Sequence, residues 1–307
     1  MLEPPPGGGS SPVVAKSPWR LAWQRLRSDR VALACAATIV LIVVVALSAP
    51  LIADAVGHKP GEADQSGGLT PEGLPLGPSW SHLFGTDYLG RDVFVRVVFA
   101  ARISLLAGVV ASSLAIVAGV VVGLFAGYAG GLVDTVLSRT MDVILSFPFL
   151  LFGIALVSIV GPSLTVVIGV ITFFSWASVG RIVRGQTISL KEREYVEAAR
   201  SLGASDLRIM FVEILPNLVA PVLVYLTLLI PSAIVFEATL SFLGLGVIPP
   251  TPTWGNMLAE SLGFYQVAWW YVLFPATALL ITTLAFNLLG DSVRDALDPR
   301  GERLFRQ

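Results

Sequence analysis

The sequence predicts an all-α integral membrane protein with six transmembrane helices. Three observations carry that prediction. Of 307 residues, 55% are hydrophobic and only 13% charged, where a soluble domain carries about 25% charged residues. Uncharged apolar runs recur along the chain, each meeting the ~20 residues that a bilayer crossing needs. Lys and Arg gather in segments that an even number of crossings places on one side of the membrane. The net charge of −1 argues against a nucleic-acid partner. The single cysteine, Cys35, lies inside the first apolar run, which excludes an intrachain disulfide and a cysteine metal cluster.

Taken in order, residues 1–16 open with MLEPPPGGGSSPVV, a Pro/Gly/Ser tail expected to be disordered. It does not read as a signal peptide, because its basic cluster comes late and the apolar run behind it is long enough to span. Residues 17–30, SPWRLAWQRLRSDR, place Trp19, Trp23 and Leu26 near one helical face between arginines, the pattern of an interfacial helix. The first span is expected at 31–51. A long outer loop follows, 52–102, whose first half is rich in Gly and Pro and expected to be irregular. In its second half Asp87, Arg91 and Asp92 are expected to form a local ion-pair turn.

The core is expected over 103–290. Its spans are Ile103–Tyr128, two spans divided by Gly161-Pro162-Ser163 within the uncharged stretch Val143–Gly180, then about Leu218–Leu243 and Val267–Leu289. Gly119, Gly123, Gly127 and Gly131 recur every fourth residue, which lines one helix face for close packing. Pro148, Pro221, Pro231 and Pro275 fall inside spans and can kink them. Glu237 is the one acidic residue in an apolar span. It either lines a pathway or makes hydrogen bonds near the outer lip. The carboxyl-terminal segment, 291–307, reads as a polar tail in which Arg294 and Asp298 are spaced to pair.

Basic residues decide the orientation. The amino-terminal segment carries Lys16, Arg20, Arg25, Arg27 and Arg30. The central loop carries Arg181, Arg184, Lys191, Arg193, Arg200 and Arg208, and the last segment Arg294, Arg300, Arg303 and Arg306. The outer side keeps Lys59, Arg91, Arg96 and Arg102. The positive-inside bias therefore places both termini and the central loop in the cytoplasm.

That central loop, 186–216, is a polar island between apolar runs. Lys191–Leu202 is free of Gly and Pro and reads as a helix, with Glu192 and Glu194 in its first turn and Arg200 in its last. Gly203 is placed to stop it in a left-handed conformation. Ser205 or Asp206 is placed to cap a second helix, DLRIMFVEIL, which Pro216 is expected to end or kink.

Glu197-Ala198-Ala199, then Gly203 and Leu215-Pro216, resembles the Glu-Ala-Ala loop of bacterial ABC-importer membrane subunits. Glu213 stands where that pattern often has an apolar residue. Three further passages resemble the dipeptide/oligopeptide permease family. They are Gly85-Thr86-Asp87 with Leu89-Gly90-Arg91-Asp92 and Ala101-Arg102-Ile103-Ser104-Leu105, the segment Phe236–Gly246 with Trp254-Gly255, and the close at Asn287–Arg300. The resemblance implies a type I ABC-importer permease fold in a bacterial cytoplasmic membrane. It also implies that Glu197, Ala198, Ala199, Gly203, Leu215 and Pro216 form a coupling element that docks on an ATPase subunit. The implied partners are a second permease subunit, two ATPase subunits that hold ATP and Mg, an extracytoplasmic peptide-binding protein, and a peptide as cargo. A nickel or metal-chelate importer shares this architecture. An ATP-independent channel or secondary carrier is the rival of another class, and it leaves the Glu-Ala-Ala loop without a role.

No Gly-x-x-x-x-Gly-Lys-Ser/Thr run is present, so an ATP site and a catalytic role are not expected of this chain. His58 and His82, the only histidines, are expected to lie apart in the outer loop, so no metal ligand set is expected and no resident cofactor.

Overall fold

Every long apolar run becomes a helix. The computed structural model describes residues 18–64 and 66–297; the expected tail at 1–16 and the last residues from Asp298 on lie outside these. Among the described residues twelve α-helices form, with one π-wound segment and isolated bridges joining Leu69 to Pro75 and Thr86 to Asp92. Helices α1 (Pro18–Ser28) and α2 (Arg30–Leu47) are separated by Asp29, whose side chain accepts from Val31 N–H at 2.8 Å and Ala32 N–H at 3.3 Å. That cap lets α1 turn away from the first span. A short α3 (Ala49–Val56) continues it to Gly57.

Helix α4 (Val93–Ala129) starts at Val93, whereas the charge pattern placed its start at Ile103. Asp92 caps it, accepting from Val95 N–H at 2.9 Å, and the charge of Arg96 is neutralised in a buried ion pair and so does not interrupt it. Its 37 residues make a rod about 55 Å long, well beyond the ~30 Å hydrocarbon core, so one end projects from the membrane. The third crossing departs further from expectation. It is built from α5 (Gly131–Ser146) and α6 (Phe149–Val160), bent by 83° at their junction. Pro148 causes the bend: the residue before a proline is pushed out of the helical region, and Phe147 is extended at φ −80° and ψ 136°.

Ser163 caps α7 (Leu164–Lys191) through Val166 N–H. Helices α8 (Glu194–Ser201) and α9 (Asp206–Arg208) follow. The π segment Ile209–Ile214 then joins directly to α10 (Leu215–Phe242), and α11 (Trp254–Ser261) and α12 (Trp269–Leu297) complete the chain. Among the described residues five helices are long and apolar enough to cross a membrane, and six crossings result when the bent pair counts as one.

The tightest packing is the α4–α7 seam. A Cβ added at Gly119 would stand 2.5 Å from Val179 Cβ, at Gly123 2.5 Å from the Gly180 carbonyl oxygen, and at Gly127 2.7 Å from Thr187 Cβ. The two backbones touch because these residues have no side chain. Gly131 does not join the series. It lies beyond a chain reversal at Gly130, has φ +55°, and nothing lies near its Cβ position. Its role is the turn into α5, because only glycine takes that conformation without strain.

Three apolar clusters stack along the bundle. The one at the end expected to face outward holds Val97, Trp254 and Tyr271, the middle one Val157, Phe174 and Phe236, and the one at the end expected to face inward Val183, Ile209 and Leu218. Helix α1 packs on the end of α12, with Arg25 Nη1 donating to the Ala296 carbonyl at 3.5 Å. The two ends of the described chain therefore stand side by side.

Candidate functional site

The Glu-Ala-Ala loop is built on a single buried side chain. The expected continuous helix Lys191–Leu202 is two helices: α7 runs on to Lys191, Arg193 is extended, and α8 starts at Glu194. The break turns α8 so that Val196 is fully enclosed in the inner cluster beside Ile209, Met210 and Ile214. Lys191 is held at the break, donating to the Tyr128 carbonyl at 2.6 Å with its ammonium over the Tyr128 ring. Glu197, Ala198 and Arg200 then point outward and are exposed, with Ala199 half-buried.

The end of α8 follows from Gly203. Its φ is +83°. Gly203 N–H donates to the Arg200 carbonyl at 3.0 Å, and Ala204 N–H to the Ala199 carbonyl at 3.1 Å. These two bonds satisfy the last carbonyls of α8 and are the reason for a left-handed residue at this position. Ser205 caps the next helix, its Oγ accepting from Arg208 N–H. Tyr128 Oη donates to Asp206 at 2.6 Å, tying the turn to the end of α4.

Pro216 does not end this helix. The run continues from Asp206 to Phe242 as one potential crossing. A proline ring crowds the carbonyl four residues before it and brings no N–H. The chain answers by widening to π winding over Ile209–Ile214, so that Leu215 N–H donates to the Met210 carbonyl five residues back. Asn217 Nδ2 donates to the Glu213 carbonyl at 2.7 Å. Leu215 is half-buried and Pro216 exposed at this junction.

Sequence spacing did not identify Leu202, which is 88% exposed between the Glu-Ala-Ala turn and Gly203. Leu207 and Phe211 are also exposed on this bracket. A large apolar residue at a helix end, beside a glycine that forces it outward, is the signal that was present. An acidic, methyl-lined helix with an uncovered leucine can seat in a cleft of another protein.

Residues 119–303 match the family described as binding-protein-dependent transport system inner membrane component. Residues 17–66 match the N-terminal TM domain of oligopeptide transport permease C. The chain is 41% identical to the dipeptide transport system permease protein DppC of Alkalihalophilus pseudofirmus, over 97% of this chain and 94% of that one. It is 43% identical to the glutathione transport system permease protein GsiD of Escherichia coli, over 94% of this chain and 93% of that one.

The chain belongs to this family of importer permeases. It is therefore a multi-pass inner-membrane transport subunit rather than an enzyme in its own right, and its helices form the fold of the type I importers.

At the outer end of the permease, the expected surface turn is a buried network. Asp87 Oδ2 accepts from Arg91 Nε at 2.6 Å and from Arg96 Nη1 at 2.7 Å. Arg91 and Arg96 also donate to Glu260 of α11, at 3.0 and 2.8 Å, and Tyr271 donates to the same oxygen. Burial pushes the Asp87 and Glu260 carboxyls above their usual range, and the Arg91 charge pulls both back. Asp92 takes no part in this. Its Oδ2 faces His58 Nδ1 at 3.2 Å and His82 Nδ1 at 3.0 Å. The two histidines, expected to lie apart, are stacked with ring centroids 4.7 Å apart.

Glu237 is fully enclosed between α4 and α10. It accepts from Ser104 Oγ at 2.7 Å and Ser241 Oγ at 2.6 Å. Of the two readings open for it, this geometry fits hydrogen bonding, since no part of it meets a surface of this chain. The polar groups that do line a cleft in the inner half of the permease are Gln186 of α7 and Arg294 of α12, with Pro221 and Tyr225 between them. The cleft measures about 550 Å³. The partner expected for Arg294, Asp298, lies outside the described residues.

Proposed function

We propose that this permease is one of two membrane subunits of an ATP-driven importer of small peptides. The observation that carries the reading is the outward presentation of Glu197, Ala198 and Leu202 on a helix whose one buried residue is Val196. The bracket from Glu197 to Gly203, with Leu215 and Pro216 at its base, docks on an ATPase subunit. ATP and Mg are held by the ATPases, and this chain binds no cofactor of its own for transport. The amino-terminal helix, the end of α12 and α8 share one end of the bundle, where Lys and Arg gather; that supports a cytoplasmic position for both termini.

The peptide assignment draws on the relatives, one named for dipeptide transport and one for glutathione transport. Arg294 and Gln186 in the inner cleft support it, because a cation and an amide suit the carboxylates and amides of a short peptide. A second, related permease subunit closes the other side of that cleft, and an extracytoplasmic binding protein delivers the peptide. ATP binding draws the two ATPases together. The docked brackets move with them, the bundle opens outward, and hydrolysis resets it.

The test is uptake by proteoliposomes that hold this chain, its partner permease, the ATPases and the binding protein. Labelled dipeptide, tetrapeptide and nickel are offered with and without internal ATP. ATP-dependent peptide uptake is expected. Uptake of nickel alone keeps the architecture and replaces the cargo. Uptake by this chain alone without ATP overturns the proposal. Orientation has its own test: a Ser205→Cys variant is expected to react with an impermeant thiol reagent only from the cytoplasmic side.

A further inference from the structure

We propose that His58, His82 and Asp92 form a binding site for a late first-row divalent metal ion, of the zinc, cobalt and nickel class, at the outer face of the permease. The donor atoms are His58 Nδ1, His82 Nδ1 and Asp92 Oδ2, all within 4.8 Å of one another. Both imidazoles aim the same ring nitrogen at one carboxylate oxygen, at 3.2 and 3.0 Å. Donors bound to a tetrahedral metal at ~2.1 Å stand about 3.4 Å from each other. Both nitrogen–oxygen separations are close to that edge length and the two nitrogens stand within 4.8 Å of each other, so small shifts admit an ion between the three atoms.

The donors are also pre-positioned. Asp92 Oδ1 is occupied by Val95 N–H at 2.9 Å, which fixes the carboxylate and leaves Oδ2 free to act as a single ligand. The Asp92 side chain is 1% exposed and His82 6%, while His58 is 32% exposed. The site is therefore dry on one side and open to water on the other, which is the access a fourth ligand or an entering ion requires. Two imidazoles and one carboxylate suit the borderline divalent ions. Hard magnesium and calcium prefer all-oxygen sites, and Cu(I) prefers thiolate and thioether.

The three ligands come from three separate places. His58 follows the Gly57 cap of α3, His82 stands in the irregular outer loop, and Asp92 is the cap of α4. The first span, α2, is the least enclosed of the membrane-crossing helices, with 17% of its apolar window buried. An ion held here staples the outer end of that span and the outer loop to the core at α4. The inference rests on no assumption about the cargo.

The test uses the assembled complex, purified without a histidine tag, stripped by chelator and dialysed against zinc without ATP. Bound metal is measured by mass spectrometry for the parent and for His58→Ala and His82→Gln. These are the only two histidines of this chain, so the difference isolates the site. The expected result is one zinc per copy of this chain above either variant, with affinity at least tenfold lower in each variant. A second readout needs no variant: cobalt added to the stripped parent is expected to show the intense visible bands of a tetrahedral nitrogen–oxygen site. Equal zinc in parent and variants overturns the proposal, as does a cobalt spectrum of the six-coordinate aqueous kind. Two imidazoles hydrogen-bonded to one carboxylate would then be the whole content of the cluster.

Discussion

At the outer end of the permease, Asp87, Arg91, Arg96 and Glu260 meet one another. At the inner end, Glu192, Arg193, Glu194, Glu197 and Arg200 are exposed. Both islands are short polar stretches between apolar runs, and both mix acids with arginines. They differ in what surrounds them. The outer island lies under α11 and α12 and has its charges matched inside the chain. The inner island has one buried residue in α8, Val196, and leaves Glu194, Glu197 and Leu202 exposed. The outer island pairs its charges within one chain, and the inner one keeps an exposed surface that suits the docking proposed for it.

Four substitutions test that contrast. Arg96→Ala has the largest expected effect. It leaves Asp87 and Glu260 with part of their compensation removed in a buried place, a loss of about 3–5 kcal/mol. The chain is expected to disappear from the membrane fraction, and a parental amount would show that the outer island is not structural. Gly203→Val comes next. A valine at φ +83° is strained, at a local cost of about 1–3 kcal/mol. The α8 turn is expected to deform while the bundle still inserts, so membrane abundance holds and ATP-dependent uptake is lost. Glu197→Lys is expected to behave alike by reversing the charge offered to the ATPase. Either variant transporting at the parental rate removes the docking role. Leu202→Ala is the mildest. At 88% exposure its effect on the folded chain is within about 0.5 kcal/mol. Burial of this leucine against an ATPase contributes about 2 kcal/mol, so the affinity of the ATPases for the purified permeases is expected to fall at least tenfold.

The sequence was informative where one dimension is enough. Apolar run length identifies a crossing because the bilayer imposes it. The Gly203 turn is readable because a left-handed residue has a strong preference for glycine. Distances between remote residues were not readable. Glu260 reaches Arg91 and Arg96 across most of the core, and the loop alone gave no sign that these charges were buried. His58 and His82 come together only because the loop folds back on α4. Regular spacing misled at Gly131: the chain reverses at Gly130, the helical phase ends there, and a count of four no longer means the same face. At Pro216 the helix continues because the winding widens just before the proline. At the start of α4, Arg96 looked like a charge that ends an apolar run, and pairing removed that meaning.

The glycine seam between α4 and α7 has a mechanical consequence. With backbone against backbone at Gly119, Gly123 and Gly127, α4 and α7 share one long close contact that favours their moving together. The two behave as one stiff lever, with the Glu-Ala-Ala helix at the short end and the outer network at the long end. Over about 55 Å, a tilt of about 5° displaces the far tip by about 5 Å. A modest push on α8 thus arrives outside as a movement the width of a side chain, delivered by rotation and without any loss to shear.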